Sequence, residues 1–152
     1  MKRTICSISI LILLLLSGYL QLAHSQDKLG IGVIVGAPTA VSAQARYPSS
    51  NSLDFLFAWR MDNWFFLQCH YDYRIRTLEQ GQEYNIGLYA GPGIFLQTAR
   101  KNDPVVGFSG NVGIAWLFKQ HFEFFLEVSP KIGLVPSTDL MMTGGFGFRY
   151  VL

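Results

Sequence analysis

The chain has 152 residues, half of them apolar, with a formal net charge of +2. That balance excludes a strongly basic nucleic-acid binder, so no nucleic-acid partner is expected. Two cysteines, Cys6 and Cys69, exclude a disulfide scaffold.

Residues 1–25 read as a signal peptide. Lys2 and Arg3 form a positive start, Ile8 to Leu16 is apolar apart from Ser9, and Ala23-His24-Ser25 is a small-x-small cleavage site. The apolar run is short for a membrane helix, which needs about 20 residues. Cys6 precedes that run and lacks a lipobox. Without Lys2 and Arg3, ten basic and ten acidic residues remain, so no polybasic membrane patch is expected. Residues 26–152 are predicted to form one domain.

Eight strands are predicted there, each with a period of two. The first covers about Leu29–Ala37, with Leu29, Ile31, Val33 and Val35 on one face. The second, about Ala40–Tyr47, sets Val41, Ala43, Ala45 and Tyr47 against Ser42, Gln44 and Arg46. The third, about Ser52–Arg60, sets Leu53, Phe55, Phe57 and Trp59 against Asp54, Ala58 and Arg60. The fourth, about Trp64–Arg74, sets Phe65, Leu67, Cys69, Tyr71 and Tyr73 against Gln68, His70 and Asp72. The fifth, about Tyr84–Gln97, contains Pro92, which predicts a bulge around Ala90–Gly93 and leaves the later face assignment open. The sixth covers about Val105–Phe118 and the seventh about His121–Gly133. The eighth, about Met141–Leu152, ends on Phe146, Phe148 and Tyr150 alternating with glycine and Arg149. Turn residues such as Pro48-Ser49-Ser50-Asn51 and Pro136-Ser137-Thr138-Asp139 separate the runs.

These lengths approach the roughly 9–11 residues of a tilted spanning strand. The predicted fold is all-β, an eight-stranded antiparallel up-and-down transmembrane β-barrel. Eight strands leave room for little more than side chains, so the bulky apolar face is expected to point outward and the small or polar face inward. With both termini in the periplasm, Tyr47, Tyr73, Tyr84, Trp116, Phe118, Phe122 and Tyr150 fall at periplasmic strand ends, and Trp59 and Phe65 at the outer end. Such aromatics suit the headgroup layer. The outer connections, Ala37–Thr39, Met61–Asn63, Thr98–Pro104 and roughly Leu134–Leu140, are short, which predicts weak or no loop binding to soluble macromolecules.

The inward face is expected to carry Arg46, Asp54, Arg60, His70, Asp72, Glu123, Glu127, Lys131 and Arg149 as a structural charge network, because isolated buried charge is costly. Turn positions predict Arg46 opposite Asp54, Asp54 near His70, and Glu123 opposite Arg149.

The segments Leu29–Thr39, Phe125-Leu126-Glu127-Val128-Ser129-Pro130, Leu134-Val135-Pro136-Ser137-Thr138-Asp139 and Gly144–Leu152 resemble a family of small bacterial outer-membrane β-barrels of unknown function, known in spirochaetes and other Gram-negative bacteria. The resemblance covers essentially all of residues 26–152 and implies an eight-stranded barrel with no established catalytic residues. That family often has an acidic residue where Ala37 stands and Phe where Leu152 stands.

The reading is therefore a structural or interaction protein of the outer membrane with a filled lumen, and not an enzyme. The expected partners are membrane lipids and the barrel-insertion machinery, and the expected state is a monomer. The alternative is a soluble periplasmic barrel that turns its aromatic face around a small hydrophobic ligand. A narrow ion path and a lipid-modifying enzyme stand behind it. His121 has no neighbouring serine in sequence, and a lone lumen His70 is better placed to be structural than a general base. No Cys/His spacing suggests a metal, the glycines open no predicted helix, and no cofactor is expected.

Overall fold

The computed structural model describes residues 28–60, 64–99 and 102–152, apart from the side chains of Arg60, Ala99 and Asn102. The predicted signal peptide lies outside them. Eight strands follow in order: β1 (Lys28–Ala37), β2 (Ala40–Arg46), β3 (Asn51–Arg60), β4 (Trp64–Gln80), β5 (Tyr84–Ala99), β6 (Asn102–Phe118), β7 (Phe122–Val135) and β8 (Leu140–Val151). Each pairs antiparallel with the next, and β8 closes on β1 to make a barrel without a sheet break. The predicted eight-stranded up-and-down barrel is the fold observed.

Alternating burial produces two surfaces. Strand β7 shows it most regularly: Glu123, Phe125, Glu127, Ser129, Lys131 and Gly133 are buried, while Phe122, Phe124, Leu126, Val128 and Ile132 are exposed. The period of two sends alternate side chains to opposite sides of the wall. The result is an apolar exterior and a largely polar interior.

The strands tilt steeply. Hydrogen-bonded partners lead from Gly30 to Gln44, Asp54, His70, Gly93, Ser109, Lys131 and finally Met141. The partner of Gly30 on β8 is Val151, so one circuit climbs by ten residues. Such stagger accompanies barrel closure. It makes the inward residues a ramp from the end that holds both termini toward the opposite end.

Two predictions about strands are corrected. Pro92 brings no bulge. The β5–β6 register runs straight through Pro92↔Gly110, and the β4–β5 register is the same at His70↔Gly93 and Tyr73↔Ala90. The β4–β5 ladder has no pairs at Tyr71 and Asp72, opposite Pro92 and Gly91, so the missing N–H of the proline is accommodated without an inserted residue. Its outward position fixes the open face assignment, with Ile94 outside and Phe95 inside. Strand β4 extends to Gln80, six residues beyond the predicted Arg74. Ile75 and Leu78 are three apart, which breaks the period of two; the shifts at Arg74/Arg76 and Thr77/Glu79 absorb the extra residues.

Candidate functional site

The lumen is where polar chemistry concentrates. Arg149 on β8 is fully buried, and its guanidinium serves three strands. Nε donates to Ser42 Oγ at 2.6 Å and Nη1 donates to Glu123 Oε1 at 2.9 Å, while Nη2 donates to Asp54 Oδ2. The guanidinium carbon lies 3.7 Å above the ring centre of Phe125, so the cation has both acceptors and an aromatic face. Arg46 ion-pairs with the other oxygen of Glu123 and donates from Nε to Gln44 Oε1 at 2.7 Å; Gln44 Nε2 donates to Asp54 Oδ2 at 3.2 Å. Two carboxylates and two guanidiniums thus form one balanced cluster.

A second cluster lies beside it. Asn111 Nδ2 donates to Asp72 Oδ2 at 3.2 Å and to Glu127 Oε2 at 3.4 Å, and Tyr89 Oη donates to the same Glu127 oxygen at 3.0 Å. Ser129 Oγ donates to Asn111 Oδ1 at 3.1 Å. Ser109 Oγ and Gln68 Nε2 both lie 2.9 Å from His70 Nε2.

The register places Glu123 opposite Arg149 and Asp54 opposite His70. It does not place Arg46 opposite Asp54: Arg46 faces Ser52, and Asp54 faces Gln44. The turn is tighter than expected, with Tyr47 N donating to Asn51 O, which moves the register by two. Arg46 reaches Glu123 instead. Arg60 lies on the inward parity of β3, but its side chain is outside the described ones.

Lys131 stands apart from the ion pairs. It is buried, and among the described residues its Nζ has no hydrogen-bond partner. It sits 3.8 Å from the ring centre of Phe66 and 5.2 Å from that of Phe95. These rings belong to an apolar cluster with Ile34, Ala40, Leu56, Ala58 and Phe125. Except for Phe125, its members gather toward the end opposite the termini.

Sequence reasoning missed this apolar part of the lumen; Ser42, Gln44, Gln68, Tyr89, Ser109, Asn111 and Ser129 fall on the expected inward face, but their role as partners of the charges was not foreseen. The signal was present in the glycines. A side chain at Gly147 would collide with the Phe125 ring, and one at Gly113 with the Tyr89 ring. Large inward rings fit because the facing residue has no Cβ.

On the exterior, Tyr73, Trp116, Phe122 and Tyr150 are exposed, while Tyr47, Tyr84 and Phe118 are half-buried, all at the end with the termini. Tyr84 faces Phe118, Phe118 faces Phe122, and Phe122 faces Tyr150. Trp59 faces Phe65 at the other end.

The chain is similar in structure to the N-terminal β-barrel domain of Pseudomonas aeruginosa OprF, with a TM-score of 0.55 and 11 % identity over 83 % of this chain and 96 % of that one. At that identity the likeness is one of fold. No family model matches the chain, and no curated protein matches it in sequence. The resemblance to small bacterial barrels therefore holds at the level of the eight-stranded fold, while the spirochaete-type family itself has no match behind it.

Proposed function

We propose that the protein is exported by cleavage of residues 1–25 and spans the outer membrane as a filled, charge-paired barrel. It acts as a structural or interaction element there, without catalysis. The observation that carries this reading is inverted polarity. Arg149, Glu123, Asp54 and Lys131 are at most 2 % exposed inside, while Phe108, Val112, Leu126 and Phe146 are more than half exposed outside. In water that exterior would be an apolar patch wrapped around the molecule, far beyond what soluble monomers tolerate. Hydrocarbon makes it favourable, and a closed barrel satisfies the backbone there. The aromatic rows supply interfacial anchors.

The soluble ligand-binding alternative needs an apolar lumen with space in it. The interior is instead occupied by ion pairs and by the Phe66–Phe95–Phe125 cluster. Catalysis at His70 would need substrate to reach a buried side chain already in contact with Gln68 and Ser109. The described connections at the end away from the termini span only residues 38–39 and 136–139, which favours lipids and the barrel-insertion machinery over soluble macromolecules as partners. Cell fractionation with gel migration before and after boiling tests the proposal. It predicts an outer-membrane protein that needs detergent and migrates faster unboiled; a freely soluble periplasmic protein would contradict it.

A further inference from the structure

The mouth of the lumen at the end with the termini holds a cavity of about 250 Å³. Lys28, Arg46, Arg74 and Glu123 are its charged lining residues, with Gln44 and Tyr89 among the polar ones. Glu123 is already shared between Arg46 and Arg149, and the other carboxylate partner of Arg149 is Asp54. Among the described lining residues the one acid is therefore used up within that cluster, and Lys28 and Arg74 are the cations without a carboxylate partner; Asp72 and Glu127 lie behind Tyr89, where Asn111 and Tyr89 hydrogen-bond them.

Arg74 owes its place to local geometry. It precedes the shift in β4, and a methyl group at Gly87 would stand 3.6 Å from its Nε. The guanidinium therefore lies over a residue with no side chain, at the cavity edge. Its one described hydrogen bond, Nη1 to Asn85 Oδ1, is 3.3 Å long, which leaves most of its five donors open. Lys28 Nζ donates to Gln120 at 3.0 Å and keeps two further protons.

We infer that this vestibule binds a small oxyanion of the phosphate type, with Arg74 and Lys28 supplying charge and Arg46 closing the inner side. A forked guanidinium matches phosphate oxygens in paired hydrogen bonds, and three cations against one already paired carboxylate in a concave mouth favour an anion. A cavity of about 250 Å³ has room for a single phosphate group with its hydration. The cavity is a feature of the closed barrel itself, whereas a lipid-headgroup occupant rests on the proposed membrane placement. The phosphate can come from solution or from a lipid headgroup.

The test is equilibrium dialysis of the full chain, folded in non-ionic detergent, against radiolabelled inorganic phosphate at constant ionic strength. Saturable retention of one phosphate per chain is expected. Arg74→Gln should weaken it about tenfold or more, the scale of one charge-assisted hydrogen bond. Arg74→Lys should fall between. Arg76→Gln removes the same charge outside the cavity and should leave retention unchanged. Adding phosphatidylglycerol to the micelles separates the sources: displacement of phosphate supports a headgroup as the occupant, and persistence supports a free ion. No saturable retention, or equal weakening by Arg74→Gln and Arg76→Gln, would overturn the inference.

Discussion

Arg149 shows how much one side chain can hold when it is enclosed. Its partners Ser42, Asp54 and Glu123 come from β2, β3 and β7, so its loss removes bonds to three other strands. Removing one member of a buried pair typically costs about 3–5 kcal/mol because the other charge is stranded. Arg149→Ala is expected to lower thermal stability in detergent more than Glu123→Ala. Glu123 leaves behind two guanidiniums that retain Asp54 and Gln44, whereas Arg149 leaves Asp54 facing only an amide. The double change should lose less than the two single losses added together, and strict additivity in thermal melts would show that the pair does not interact. A second expectation follows from the close approach of Phe125. Gly147→Val should impair folding strongly, and Gly147→Val with Phe125→Ala should recover part of it, as followed by unboiled gel migration. The glycines could be read in sequence as small inward residues. That each one accommodates a particular ring depends on neighbours from a different strand, which spacing along one strand does not reveal.

At the scale of elements, alternation made the strands legible wherever apolar residues recurred every second position, as in β3 and β7. It failed at Arg74–Gln80, where two register shifts hide the strand. Only β5 pairs with that stretch, because β3 begins at Asn51, opposite Tyr73. One edge is therefore open. Its shifts and the charges of Arg74, Arg76 and Glu79 are the devices that keep such an edge from pairing with another chain. Native-state hydrogen exchange should show amides in Arg74–Gln80 that point away from β5 exchanging much faster than those in Trp64–Tyr73. Equal protection would mean that the edge is covered. The register of the β2–β3 hairpin differs by two residues from the expected one for a similar reason. Proline and serine announce a turn, but the hydrogen bond that sets its tightness is not encoded in their spacing.

At the scale of the molecule, the polar and apolar faces were legible because period-two patterning is directional once lumen size is considered. Eight strands cannot hold the row of outward rings. The apolar cluster toward one end of the lumen was not legible, because Phe66, Phe95 and Phe125 share the inward parity with the charges and interrupt no pattern. On the proposed placement this cluster and the ion pairs together block the bore. Planar-bilayer recordings should therefore show no steady conductance, and the joint change Phe66→Ala with Phe95→Ala should raise leak more than Arg149→Ala. Sustained wild-type channels would refute a filled lumen.

The central claim is that the exterior face meets lipid. Cys69 tests it most directly, since it lies between Phe55 and Ile94 on that face and is the one free cysteine among the described residues. With Cys6 changed to serine, the protein is reconstituted in vesicles and offered a charged aqueous maleimide or a lipid-dissolved thiol reagent. The account predicts resistance to the aqueous reagent and reaction with the lipid-phase one, with both reacting after unfolding. Rapid aqueous labelling of the folded protein, with no lipid-phase reaction, would contradict it.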